Sequence, residues 1–237
     1  MKKSFLMIGQ SNMAGRGDFG QVLPIRNPNC TMLRCGLWRE MADPCNPDQC
    51  IFEGTTKYRF HSGVSLMPSF ADACQKYFDC EIGLIPAAYG GSKLAQWMPG
   101  EALFDHAVFQ AKLAMRDSEL VGIMWHQGES DSGTTEESGS YCERFTAMIT
   151  ELRRQLHAED VPLVVGELGR FVPLYENGKY PYAPDVNAQI RKIAETVPRC
   201  AFVSSEGLGS RPDNLHFHSH ALRELGLRYF EAYKTLL

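Results

Sequence analysis

Five short apolar runs recur along the chain, separated by longer stretches whose apolar residues repeat every three or four positions. Short runs of this kind are typical of strands, and the longer repeats are typical of amphipathic helices. Their alternation predicts an α/β fold with a parallel, doubly wound sheet. The predicted strands are 5–8, 81–86, 120–125, 163–168 and 200–204.

Four of the longer stretches predict helices that each bury one apolar stripe. In the last of them, Leu222, Leu225, Tyr229 and Tyr233 share a face, and Ser219 is the expected N-cap. These helices should pack on the sheet. The predicted helices are 65–78, 141–156, 185–197 and 219–236.

The segment 16–63 has little periodicity and is rich in Pro, Gly, Asn and Asp. It predicts a long irregular insertion after the first strand of one domain that spans 1–237. Loops of that length are uncommon unless they shape a binding site.

The chain has 237 residues, 44% of them hydrophobic, and a formal net charge of -4. It therefore lacks the basic field that nucleic acids or anionic membranes attract, and we predict neither as a partner. The opening apolar run is too short for a signal-peptide core or a membrane span, which favours a cytoplasmic protein. The sequence does not indicate an oligomeric state.

Two groups of residues have the chemistry of metal ligands. The cysteines of the insertion lack a histidine at zinc-finger spacing, so free thiols are favoured over a structural zinc. The alternating histidines near the end of the chain lack a nearby pair of carboxylates or cysteines, and no His-Glu-x-x-His occurs. We predict no metal and no other cofactor. The residues concerned are Cys30, Cys35, Cys45, Cys50, His216, His218 and His220.

Ser11 directly follows the first predicted strand, in the segment Gly9-Gln10-Ser11-Asn12-Met13. Open α/β sheets bind their ligands at the carboxyl ends of the strands. A turn of helix beginning near Ser11 would direct backbone N–H groups at a developing negative charge. Serine is also a preferred N-cap, so this segment alone leaves capping and nucleophilic roles open.

Asp213 and His216 provide a carboxylate and an imidazole three residues apart, on the same side of a turn if that turn is helical. Asp213 could orient His216 while the other ring nitrogen accepts the proton of Ser11. The alternative interpretation is a surface turn in which the aspartate and the histidine are solvated.

Two further segments follow predicted strands and could donate hydrogen bonds to an oxyanion. Gly91 could expose its backbone N–H, and Gln127 could offer its side-chain amide. A glycine turn and a polar cluster at the sheet edge are the alternative interpretations.

Taken in order, four motifs of the sequence resemble the blocks of SGNH hydrolases. More narrowly, they resemble the sialate O-acetylesterase and acetylxylan esterase group, carbohydrate esterase family six. The blocks extend over nearly the whole chain, and Gln-Ser-Asn-Met together with Trp-x-Gln-Gly-Glu is a specific combination. The motifs are Gly9-Gln10-Ser11-Asn12-Met13, Gly90-Gly91-Ser92, Trp125-His126-Gln127-Gly128-Glu129-Ser130-Asp131 and Asp213-Asn214-Leu215-His216.

This resemblance implies a flavodoxin-like three-layer sandwich with a parallel sheet of about five strands. It also implies a role for each matching residue. Ser11 would be the nucleophile, His216 the general base and Asp213 its orienting carboxylate. The N–H groups of Ser11 and Gly91 and the side chain of Gln127 would form the oxyanion hole, and Glu129 would be buried support.

The implied activity is that of a serine esterase, which removes O-acetyl groups from small acetylated carbohydrates through an acetyl-enzyme on Ser11. The Gly-x-Ser-x-Gly motif of α/β-hydrolase lipases is absent. The alternatives are a thioesterase or lipase-like SGNH hydrolase that acts on non-sugar esters, and a non-catalytic carbohydrate-binding relative. Four residues are candidate sugar contacts, although packing of the loop would equally explain them: Trp38, Tyr58, Arg59 and Trp97.

Overall fold

A seven-stranded sheet forms the centre of the molecule, in a computed structural model that describes residues 1–46 and 62–237. The strands are β1 (Lys2–Gly9), β2 (Cys30–Arg34), β3 (Leu37–Glu40), β4 (Ile82–Pro86), β5 (Ser118–His126), β6 (Leu163–Gly166) and β7 (Cys200–Val203). Their order across the sheet is β3-β2-β4-β1-β5-β6-β7. All pairings are parallel except that of β2 with β3. The central strand β1 therefore ends at the carboxyl edge of the sheet, between β4 and β5.

Helices cover both faces of the sheet. They are α1 (Ser11–Ala14), α2 (Met67–Phe78), α3 (Ala102–Ala114), α4 (Thr135–Gly139), α5 (Tyr141–Leu156), α6 (Ala183–Thr196) and α7 (Ser219–Lys234). Along β1, Leu6 and Ile8 belong to the apolar core shared with α3, α5 and α6, whereas Phe5 and Met7 belong to the core shared with α2 and α7. The period of two in a strand sends alternate side chains to opposite faces. The result is a three-layer α/β/α sandwich.

The predicted strands and helices are all present, with ends that differ by a few residues. The expected sheet of about five strands is too small, because the insertion 16–63 is not wholly irregular. It contributes β2 and β3, which are joined by a tight turn in which Cys35 and Gly36 have φ values of 48° and 76°. Such turns match the twist of a two-stranded hairpin. The hairpin was not predicted, because β2 mixes polar and apolar residues without a clear period.

Two details of the helices also differ from expectation. Helix α3 was not predicted, because its residues include four alanines and its faces differ little in polarity. The N-cap of α7 is His218 rather than Ser219, since His218 Nδ1 accepts a hydrogen bond from Ala221 N at 3.0 Å. The Ser219 hydroxyl donates instead to the Asp18 carbonyl oxygen at 2.8 Å.

The described cysteines of the insertion are free thiols. Cys30 and Cys45 are buried, and Cys35 is exposed; Cys50 lies outside the described residues. Burial raises the pKa of Cys30 to about 12, which disfavours the thiolate that metals bind. Within residues 1–46 and 62–237, no group of three or more ligating side chains could hold a metal ion. No helix in these ranges has the length and apolarity needed to cross a membrane.

Candidate active site

Ser11 lies at the carboxyl end of the central strand. At Gly9 the chain turns out of β1 with φ of +134°, and a Cβ there would lie 2.1 Å from the carbonyl oxygen of His126. Gly9 is therefore required for this close passage beside β5. Gln10, not Ser11, is the N-cap of α1, so the capping interpretation of Ser11 is wrong. Ser11 is the first residue of the helix, and its side chain is available for other contacts.

Three side chains form a continuous hydrogen-bond relay at this edge. Ser11 Oγ lies 3.0 Å from Nε2 of His216, and His216 Nδ1 lies 2.8 Å from Oδ2 of Asp213. Each contact is within the range of a good hydrogen bond. The structure thus brings together a hydroxyl, an imidazole and a carboxylate. Ser11 and His216 are more than 200 residues apart in the sequence.

Asp213 and His216 lie on a tight turn that is not helical. Asp213 Oδ1 accepts hydrogen bonds from the backbone N–H groups of Leu215 and His216, both at 2.9 Å. Asn214 takes a left-handed conformation, with φ of 54°. Partial burial opposes ionisation of Asp213, but the bonds from His216 and Leu215 outweigh it and hold the pKa of the carboxyl well below its usual range.

Asn12 fixes the position of this turn relative to Ser11. Its Nδ2 donates to the carbonyl oxygen of Leu215 at 3.1 Å, and its Oδ1 accepts from the N–H of Phe217 at 3.1 Å. These two residues flank His216 in the chain. The residue next to the hydroxyl therefore holds the backbone on both sides of the imidazole.

Glu129 lies behind Asn12 and is fully buried. Its Oε1 accepts from Asn12 Nδ2 at 2.5 Å, while Oε2 has no hydrogen-bond partner among the described residues. Burial raises the pKa of Glu129 to about 7, although the bond from Asn12 opposes the shift. This carboxyl reaches the relay through Asn12.

Two backbone N–H groups near Ser11 remain available for a ligand. The turn after β4 is tied to the end of β1, because Tyr89 N donates to the Gly9 carbonyl oxygen at 2.9 Å. In this turn Gly91 has φ of +74°, and the space where its Cβ would stand is open. In the described ranges, neither Ser11 N–H nor Gly91 N–H has a protein acceptor.

Gln127 does not present a free amide, contrary to the expectation for this residue. The side chain is fully buried, and Nε2 donates to the Ser92 carbonyl oxygen at 2.9 Å and to Asp131 Oδ2 at 2.7 Å. Its Oε1 accepts from the Tyr141 hydroxyl at 2.9 Å. Both amide hydrogens are therefore used within the protein.

The neighbouring amide of Gln10 is arranged differently. Its Oε1 faces the backbone N–H groups of Gly128 and Ser130, at 3.5 and 3.4 Å, and Nε2 of Gln127, at 3.2 Å. These donors fix which end of the amide is the oxygen. Nε2 of Gln10 has no acceptor in the described part of the chain. This donor was not predicted from the sequence, although its position directly before Ser11 could have indicated it.

The similarity of the chain to known proteins bears on this site. A family model described as carbohydrate esterase, sialic acid-specific acetylesterase, matches residues 1–235. The chain belongs to this carbohydrate esterase family.

A relative from Arabidopsis thaliana supports the same grouping. The chain is 28% identical to this protein, named as a probable carbohydrate esterase, over 97% of the chain and 89% of the relative. The crystal structure of the same Arabidopsis thaliana protein matches with 26% identity and a TM-score of 0.86, over 99% and 98% of the two chains.

More distant structures show the fold. NanS matches with 18% identity and a TM-score of 0.75, over 99% of this chain and 96% of NanS. A carbohydrate acetylesterase from Xanthomonas citri matches with 18% identity and a TM-score of 0.71, over 98% of this chain and 56% of that one. The chain therefore has the SGNH-hydrolase fold.

Trp38 and Trp97, two of the candidate sugar contacts, are not at the relay. Trp97 is buried, donates to Ser92 Oγ at 2.9 Å and packs in the core. Trp38 lies under the Lys2 ammonium, 4.3 Å from its ring centroid. Lys2 begins β1, so roughly 23 Å of strand separates it from Gly9. Tyr58 and Arg59 lie outside the described residues.

Proposed function

We propose that this protein is a serine esterase that removes O-acetyl groups from carbohydrates through an acetyl-enzyme on Ser11. The observation that carries the proposal is the relay from Ser11 Oγ to His216 Nε2 at 3.0 Å and from His216 Nδ1 to Asp213 at 2.8 Å. Such a relay activates a hydroxyl that is otherwise a weak nucleophile. The family to which the chain belongs supports the choice of a carbohydrate ester.

The first step forms the acetyl-enzyme. Ser11 Oγ attacks the acetyl carbonyl carbon while His216 Nε2 takes the hydroxyl proton. The tetrahedral intermediate collapses with cleavage of the bond between the carbonyl carbon and the sugar oxygen, and His216 returns the proton to that oxygen. Asp213 holds the imidazole in the required tautomer and stabilises the imidazolium.

The second step releases acetate. His216 removes a proton from water, the resulting hydroxide adds to the acetyl carbonyl, and the bond to Ser11 Oγ breaks. His216 then returns the proton to Ser11. The atoms balance with one water consumed and one acetate and one free sugar hydroxyl produced.

The charge that develops on the carbonyl oxygen requires donors that are already in place. We assign these to the N–H groups of Ser11 and Gly91 and to Nε2 of Gln10. Each of the three has no acceptor among the described residues. Gln127 supports Gln10 and Ser92 from behind and does not contact the substrate in this assignment.

Acetate release from acetylated xylan, O-acetylated sialic acid and acetylated monosaccharides tests the proposal. We expect release from at least one of them, and loss of that activity in Ser11→Ala but not in the surface control Thr196→Ala. A preference for octanoyl over acetyl aryl esters would favour a lipase-like enzyme instead. Unchanged hydrolysis by Ser11→Ala would exclude Ser11 as the nucleophile.

A further inference from the structure

Tyr175 and Tyr180 form a stacked pair of rings in the segment between β6 and α6. The ring centroids lie 5.4 Å apart with an interplanar angle of 16°, and both side chains are partly exposed. Tyr180 packs against the core of the α3, α5 and α6 face. Tyr175 is therefore the outer ring of the pair. The ammonium group of Lys179 lies 5.5 and 5.8 Å from the two ring centroids.

Contacts at both ends attach this segment to the active-site loops. At one end, the ring of Phe171 packs on that of Phe217 with centroids 5.1 Å apart, and Phe217 directly follows His216. At the other end, Tyr182 N donates to the Ser132 carbonyl oxygen at 3.0 Å. Ser132 directly follows Asp131, the acceptor of the Gln127 amide. The tyrosine pair thus lies on a bridge between the His216 turn and the loop behind Gln127.

The two rings also interact electrostatically with charged groups beside the site. Burial raises the pKa of Tyr175, the bond to Glu176 adds to the shift, and the charge of Asp213 contributes to it. The pKa of Lys93 is raised mainly by its bond to Glu137, and Tyr180 also contributes. Lys93 follows the turn that carries Gly91. Tyr175 therefore lies within electrostatic reach of Asp213, and Tyr180 within reach of the Lys93 ammonium group.

The backbone of the segment is shaped to bring the rings together. Glu176, Asn177 and Gly178 are successive left-handed residues, with φ of 42°, 57° and 90°. Left-handed non-glycine residues are uncommon, and strained loops of this kind concentrate at binding sites. The turn reverses the chain between Tyr175 and Tyr180 and lets their rings stack.

We propose that the outer face of Tyr175 is a sugar subsite, on which a pyranose ring of the acetylated substrate packs. Aromatic rings present a rigid apolar face at low entropic cost, and sugar rings carry C–H groups that fit such a face. Lys179 and Glu176 stand at the rim, where their charged groups can bond to sugar hydroxyls. This inference rests on the proposed esterase function and adds the residue that recognises the sugar.

The test compares a sugar ester with an ester that has no sugar ring. Kinetics are measured for wild type, Tyr175→Ala, Tyr175→Phe and the distant surface control Tyr77→Ala, with xylopyranose tetraacetate, 9-O-acetyl-N-acetylneuraminic acid and 4-nitrophenyl acetate. Tyr175→Ala should raise KM about tenfold for the sugar ester that wild type cleaves best. Its kcat/KM for 4-nitrophenyl acetate should not change, and Tyr175→Phe should retain wild-type KM.

The other possible results show which of the two proposals fails, the subsite or the esterase function. If Tyr175→Ala leaves KM for the sugar ester unchanged while wild type is active, the subsite is wrong and the esterase function stands. An equal loss on both substrates would show that the ring only supports the loop, which also overturns the subsite. If wild type cleaves no ester, the esterase proposal fails. Binding of N-acetylneuraminic acid and xylobiose to Ser11→Ala with and without Tyr175→Ala, followed by NMR, then tests the subsite independently.

Discussion

Asn12 and Glu129 are joined by a buried hydrogen bond of 2.5 Å between Nδ2 and Oε1. The same Asn12 amide bonds to Leu215 and Phe217, the neighbours of His216. The Ser11 segment, the loop after β5 and the His216 turn are thereby connected through one side chain. Because Asn12 directly follows Ser11, its amide links the residue that carries the hydroxyl to the backbone on both sides of the imidazole.

Replacement of Asn12 by alanine should misplace His216 relative to Ser11. Small errors in the position of reacting groups can lower rates by about 100-fold, so we expect kcat on 4-nitrophenyl acetate to fall roughly 10- to 100-fold with little change in KM. Asn29→Ala, at an exposed position, is the control. A variant that folds and has wild-type kcat would show that Asn12 does not position the base.

Glu129 should make stability depend on pH. Its pKa is raised by burial from 4.5 to about 7. Below about pH 4.5 the carboxyl is protonated in both folded and unfolded chains. As the pH rises, the unfolded chain loses its proton first, so the contribution to stability declines through the folded pKa of about 7.

Glu129→Gln mimics the protonated carboxyl and should remove this dependence. Relative to wild type, its free energy of unfolding should increase by roughly 3 kcal/mol between pH 4.5 and pH 8. Urea unfolding at both pH values measures the change, with the exposed Glu195→Gln as a control. Parallel pH profiles for wild type and Glu129→Gln would mean that the carboxyl is ionised when folded.

The strands and helices with clear periodicity were predictable because burial of one stripe or one run leaves a local trace in the sequence. The hairpin of β2 and β3 leaves a weaker trace. It lies at the sheet edge, where β3 is largely exposed and carries Trp38, Arg39 and Glu40. Polar residues are expected at an exposed edge and resemble those of a loop.

The candidate site shows a similar division. Ser11, Asp213 and His216 could be chosen from motifs, since their chemistry is in the side chains themselves. The sequence could not decide between Gln10 and Gln127, because both are amides in matching motifs. They differ in whether protein neighbours accept hydrogen bonds from the amide nitrogen. Tyr175 and Tyr180 were missed because their stacking depends on the left-handed turn between them.

The two glutamines give opposite predictions for activity and stability. Gln10→Ala should lose one donor to the oxyanion, and such a loss typically lowers kcat by about 100- to 1,000-fold. Gln127→Ala should instead destabilise the fold by about 1 to 3 kcal/mol, since it leaves buried partners such as Asp131 unsatisfied. Aryl acetate kinetics and urea unfolding of both variants distinguish the roles. A large kcat loss in well-folded Gln127→Ala, with none in Gln10→Ala, would reverse the assignment.

Asp213→Asn should preserve the turn and impair the chemistry. The asparagine Oδ1 can still accept from the N–H groups of Leu215 and His216, which Asp213 Oδ1 binds at 2.9 Å. Its amide nitrogen would face His216 Nδ1 as a donor, which favours the wrong tautomer and removes the charge that stabilises the imidazolium. We expect kcat on 4-nitrophenyl acetate to fall about 1,000- to 10,000-fold, with a near-native melting temperature. Asp160→Asn, at an exposed position, should have no effect. If Asp213→Asn keeps more than a tenth of wild-type kcat, then Asp213 does not orient the base.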